Sequence, residues 1–121
     1  MKKVVIAKNE TFEFLSGGLL IIIEVDRDRS IFRLKTRVFS EKSFIPFSIR
    51  ECVDKILIKA LNKKFPIYLS IDEKTNSVDL IQEFEGGVNI PLIKLVKLFV
   101  FAARSWASIL KKIAGQDLLN Q

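Results

Sequence analysis

Histidine is absent from this chain, and cysteine, tyrosine and tryptophan occur once each. Without histidine, a His-dependent catalytic triad, imidazole acid–base chemistry and most zinc sites are excluded. One thiol, Cys52, cannot close an internal disulfide, so no oxidising framework is written into the chain. Five glycines and three prolines are too few for a linker, and residues 1–121 read as one domain. Long apolar runs are also missing. Val4–Ala7 is ended by Lys8, Gly17–Ile23 stops at Glu24, and the stretch from Ile90 is broken by Lys94, Lys97 and Arg104. None reaches the ~20 residues of a membrane span, and the first falls short of the roughly seven of a secretory signal. A cytoplasmic protein without membrane association is expected.

What the chain does contain is bulk and positive charge. Hydrophobic residues make up 49% and charged residues 28%, the composition of a folded globule. Ten phenylalanines supply an aromatic core, or a core plus an aromatic binding surface. Lys and Arg number 20 against 14 Asp and Glu, a net charge of +6 that favours acidic partners.

The first forty residues have strand character. Val4–Lys8 is a short candidate, and Glu10–Leu15 alternates Phe12 and Phe14 against Thr11 and Glu13. Gly17-Gly18 marks a turn. Leu19–Asp26 is apolar and β-branched, and Ser30–Phe39 sets Phe32, Leu34 and Val38 against Arg33, Lys35 and Arg37. Ser48-Ile49-Arg50-Glu51 has the form of a capping box opening a helix that runs to about Lys64 before Pro66. Ile67–Asp72 and Ser77–Glu85 alternate around Glu73-Lys74-Thr75-Asn76 as a hairpin. After Gly86-Gly87, Pro91 suits the first turn of a second long helix, with Leu95, Phe99, Ala102, Trp106, Leu110 and Ile113 as its buried stripe and a frayed tail beyond Gly115. The expected fold is α+β: an antiparallel sheet of about five strands packed with two helices, in the order strands–helix–hairpin–helix.

Phosphate-binding glycine loops, dinucleotide fingerprints and nucleophile elbows are all absent, and the acidic pairs fall at strand ends and on hairpin faces. Cys52 lies on the buried stripe of the first helix with no histidine to activate it. No catalytic, metal or cofactor site is therefore expected. The row Arg33, Lys35 and Arg37 suggests an alternative, a basic module gripping nucleic acid or serving as an adaptor. The stronger signal is surplus hydrophobicity. Ile58, Phe65 and Phe101 fall outside the core stripes, and Ile93, Val96, Val100 and Ala107 widen the apolar arc of the last helix. Contiguous exposed apolar surface marks a protein interface.

Leu69-Ser70-Ile71-Asp72, a turn, Val78-Asp79-Leu80-Ile81, and a helix carrying Leu98-Phe99 and Ala103-Arg104-Ser105-Trp106 form a pattern that resembles type III secretion chaperones of the Tir-chaperone (CesT-like) class. Phe99, Trp106 and Leu110 occupy the apolar places of that family's closing helix. The helix from Ser48 to Pro66 running into the hairpin is similar to the SycN/YscB-type heterodimeric subunits. The resemblance is best over residues 48–113 and looser over 19–39. It implies a small bacterial cytoplasmic dimer that uses no ATP or other cofactor. Such a dimer holds the N-terminal region of a secreted effector or gatekeeper protein in extended, secretion-competent form. Two departures stand out: strand-like sequence where the family opens with an amphipathic helix, and basic charge where the family is acidic. The first motivates the expectation of a second chaperone subunit, in a heterodimer more than a homodimer. Subunit contact is assigned to Ile58, Leu61, Phe65 and Phe101, and client contact to Phe12, Phe14, Phe32 and Leu34.

Overall fold

Alternating side chains and short turns build most of this molecule. The computed structural model describes residues 2–6, 9–61, 63–85 and 92–119. Four strands come first: β1 (Lys2–Ile6), β2 (Asn9–Ser16), β3 (Leu19–Asp26) and β4 (Ile31–Ser40). Helix α1 (Phe47–Ala60), strands β5 (Ile67–Asp72) and β6 (Ser77–Glu85), and helix α2 (Leu92–Leu119) follow. The fold is α+β as expected, one antiparallel sheet with two helices. The sheet has six strands in the order β1-β2-β3-β4-β6-β5. β1 to β4 form a meander. The chain then crosses through α1 to the far edge, and β6 returns between β5 and β4.

Gly17 and Gly18 both have positive φ, at 57° and 82°, the requirement of a two-residue hairpin whose twist matches its strands. The Arg104 guanidinium of α2 donates to the Gly17 carbonyl and ties this turn to the helix layer. Ser30 and Asn76 hold left-handed positions in the β3–β4 and β5–β6 turns.

One sheet face carries Ile21, Ile23, Leu34, Leu69, Val78, Leu80 and Phe84, all buried. Against it pack Ile49 and Val53 of α1 and Leu95, Phe99, Ala103 and Leu110 of α2. Thr36 is a buried polar residue of that face, and its hydroxyl donates to the Leu20 carbonyl at 2.8 Å. A register shift between Arg37 and Phe39 lets both Val38 and Phe39 reach the core from adjacent positions.

Several expectations change at element ends. Helix α1 begins at Phe47, with Pro46 as its cap, and no side-chain capping bond forms. The Pro46 carbonyl accepts from the amides of Ile49 and Arg50, so Ser48 falls inside the first turn and the capping box is not made. α1 stops at Ala60, short of Lys64. α2 continues through Gly115 to Leu119, so the frayed tail becomes helix. Gly86-Gly87 and Pro91 lie outside the described residues.

Candidate protein-interaction surface

The outer sheet face combines a polar, internally matched row on β4 and β6 with the exposed Leu15 and Leu20 of β2 and β3. The register sets Arg33 between Glu24 and Glu83, and Arg37 beside Asp79. Arg33 Nε lies 3.3 Å from Glu83 Oε1 and Lys35 Nζ lies 3.9 Å from Asp79 Oδ2. The Tyr68 hydroxyl donates to the same Glu83 oxygen at 2.6 Å. Burial, reinforced by that bond to a carboxylate, pushes the Tyr68 phenol up to about 12. Burial also raises the Asp79 carboxyl above the usual range, against the pull of Lys35 and Arg37. Two cations of the basic row are thus engaged with acids of the neighbouring strand.

The residues assigned to client contact share the opposite face, which the helices cover. Leu34 is fully buried, which removes it from any client surface. Phe32 stacks on Phe84 with ring centroids 4.8 Å apart and planes at 17°, and Phe65 is tilted against Phe84 at 5.9 Å. This ladder holds Phe32 half-buried. Phe12 and Phe14 are also half-buried and pack against the core from β2. The apolar row of a half-buried strand belongs to the core it faces, so this row is a core face first.

The residues assigned to subunit contact divide three ways. Ile58 and Leu61 are 67% and 71% exposed on the outer side of α1. Phe101 is 73% exposed on the outer side of α2. Phe65 is half-buried and lines a groove of about 380 Å³ with Ile56, Lys59, Ala60, Lys63, Ile67 and Trp106. Because Ile56 and Lys59 face this groove between the helices, helical rotation of 100° per residue turns Leu57 and Leu61 to the far flank. That flank is the side of Arg50, which pairs with Glu73 in the β5–β6 turn.

Beneath this flank runs the sheet edge. The Glu83 amide donates to the Pro66 carbonyl. In the observed register Tyr68 and Ser70 then exchange backbone bonds with β6, leaving the amides and carbonyls of Ile67, Leu69 and Ile71 pointing off the sheet. Among the described residues no strand pairs with that side of β5. The strand carries no Lys, and no Pro within it, so nothing in its sequence blocks pairing with another chain. Leu57 and Leu61 therefore lie on the flank of α1 turned away from α2, with Ile58 on its outward face, and the strand that α1 packs against is this unblocked edge strand.

Sequence reasoning missed Leu57, Leu98 and Ile109, which are 40%, 60% and 43% exposed. It also missed Phe44 and Phe47, at 66% and 78%, in the segment entering α1. Helical spacing of Leu98 and Ile109 relative to Phe101 was the available signal.

Nucleophilic chemistry finds little footing. Cys52 is half-buried on α1, and burial raises its thiol above the ordinary value, away from the thiolate a nucleophile needs. Among the described residues no group of three His, Cys, Asp or Glu side chains is placed to hold a metal ion, and no helix is long and apolar enough to cross a membrane. Comparison with family models, curated proteins and solved structures finds no match to this chain.

Proposed function

We propose that this chain is one subunit of a type III secretion chaperone, a bacterial cytoplasmic protein that binds the N-terminal region of a secreted effector or gatekeeper protein and keeps it competent for secretion. The observation that carries the reading is the exposed apolar outer side of α1, Leu57, Ile58 and Leu61, on the helix that packs against the edge strand β5. Large apolar side chains beside open backbone donors and acceptors form a surface that another polypeptide covers. The strands–helix–hairpin–helix order on which the resemblance rests is compatible with it.

The subunit contact falls on α1 and β5, with Ile58 and Leu61 at its centre. Client contact moves away from Leu34 to side chains that remain accessible. The reading is non-enzymatic and needs no cofactor. The nucleic-acid alternative is weakened by the pairing of Arg33 with Glu83 and Lys35 with Asp79, which leaves little free charge for phosphate along that row.

Mass measurement by light scattering on the purified chain, alone and co-expressed with a candidate client and second subunit, tests the proposal. A dimer that retains an extended client segment is the expected result. A chain that stays strictly monomeric and captures no client in any combination would overturn it.

A further inference from the structure

The chain's surplus positive charge is concentrated on one helix. Between Leu92 and Gln116, α2 carries five cations and no Asp or Glu. Elsewhere six cations meet acids, Arg27 with Glu10, Arg29 with Asp26, Arg33 with Glu83, Lys35 with Asp79, Arg50 with Glu73 and Lys55 with Glu51, while Lys42, Lys59, Lys63, Lys64 and Lys74 lie scattered with no ion pair among the described residues. On α2, Arg104 is engaged with the Gly17 carbonyl. Lys94, Lys97 and Lys112 are exposed and have no ion-pair partner among the described residues.

Those lysines border an apolar strip. Leu98 and Phe101 are 60% and 73% exposed, with Ile109 at 43% completing the line. Lys94, Leu98, Phe101, Ser105 and Lys112 follow alternating steps of three, four and seven, so they share one stripe of the helix. The Ser105 hydroxyl donates back to the Phe101 carbonyl at 3.1 Å, so the serine can be covered without losing a partner. The apolar part spans about 16 Å, and the two lysines that close it stand about 27 Å apart at 1.5 Å per residue.

We infer that this stripe is a second docking surface, and that its occupant is an amphipathic helix of another polypeptide, about five turns long, with an apolar centre and Asp or Glu at both ends. Charge complementarity selects the acidic partner, and it excludes a second copy of this chain on the same face, where lysine would oppose lysine. The three-four spacing with a small residue mid-stripe favours a packed helix. Lysines closing both ends on the line of Phe101 favour a partner of finite length over a lipid plane. The inference rests on the reading of this chain as a polypeptide binder, but it uses residues separate from the α1–β5 contact.

Fluorescence anisotropy of the full chain with a labelled designed helix, leucines at three-four spacing and glutamates at both ends, tests it. Saturable binding is expected, weakened about tenfold or more in the peptide with Gln for Glu, and by Phe101→Ser or by Lys94→Glu with Lys112→Glu. Circular dichroism melts should be unchanged in these variants, and Ile58→Ala with Leu61→Ala should leave peptide binding intact. No binding, equal binding to the neutral peptide, or indifference to both α2 variants would overturn the inference. So would co-sedimentation with phosphatidylserine vesicles in place of peptide binding. The mass of the assembly is read separately, so loss of the dimer with peptide binding retained would count against the chaperone proposal alone.

Discussion

Replacing Ile58 and Leu61 together by alanine measures how much the α1 flank contributes to association. Each substitution removes three carbons, worth about 2.4 kcal/mol if fully buried at ~0.8 kcal/mol per CH2. The side chains are 67% and 71% exposed in the isolated chain, so about two-thirds of that value remains to be gained when a partner covers them. The loss is then about 1.6 kcal/mol each, or about 3 kcal/mol per subunit, which is roughly 150-fold in Kd for a heterodimer. In a homodimer both flanks change, and the loss doubles to about 6 kcal/mol. The fold should lose little, because alanine's higher helix propensity offsets part of the small area these residues bury at home. Sedimentation velocity across a concentration series gives Kd, and urea denaturation under monomeric conditions gives stability. An unchanged Kd would refute the placement of the interface. A drop of several kcal/mol in monomer stability would refute the exposure on which it rests.

Leu34→Ala opens a cavity in the core beneath the helix layer and should cost about 2–5 kcal/mol in urea denaturation, where a client-facing Leu34 would cost almost nothing. Tyr68 is the one tyrosine, so phenolate absorbance reports it alone and should show a midpoint near 12, falling towards 10 in Glu83→Gln. Its folded value lies above the unfolded one, so the folded state binds more protons between the two and stability should fall as pH rises from about 10 to about 12. Asp79 obeys the same sign at the acidic end. Its raised carboxyl disfavours the folded state once ionised, so Asp79→Asn should be neutral or stabilising at pH 7 and flatten the decline in stability as pH rises through the raised value.

Much of the architecture was legible because its signals are local. Period-two alternation placed β2, β4, β5 and β6, and the glycine pair fixed the β2–β3 turn through its positive φ. Helix ends were less legible because more than one residue near an end can serve as the cap. Ser48 and Glu51 have the spacing of a capping box, but the helix opens at Phe47 with Pro46 as its cap, so Ser48 sits within the first turn and not at the capping position. Gly115 costs about 1 kcal/mol relative to alanine within a helix, and the rest of α2 carries it. The site was partly legible for a different reason. Exposure of Ile58, Leu61 and Phe101 follows from helical angle alone. The role of Phe32 and Leu34 depends on which sheet face the helices cover, and alternation does not specify that.

The sheet and the last helix handle charge in opposite ways, and that contrast bears on partner choice. On the sheet, cross-strand register places acids beside Arg33 and Lys35, so the row is neutralised by the same pairing that forms the fold. A helix has no such neighbour on its outer side. The lysines of α2 could have been matched by acids three or four residues away, as Lys55 is by Glu51 on α1, yet the sequence supplies none before Asp117. Cations left unmatched beside Leu98 and Phe101 repel copies of themselves and attract an acidic surface. The α1–β5 flank lacks this bias: Arg50 is paired with Glu73 there and has Asp54 one turn away, so the charges beside Leu57 and Leu61 are of both signs. Specificity by charge therefore resides on α2, whereas the apolar area beside an open strand edge resides on α1. An assembly that uses both faces would draw its partner discrimination from the first and much of its stability from the second.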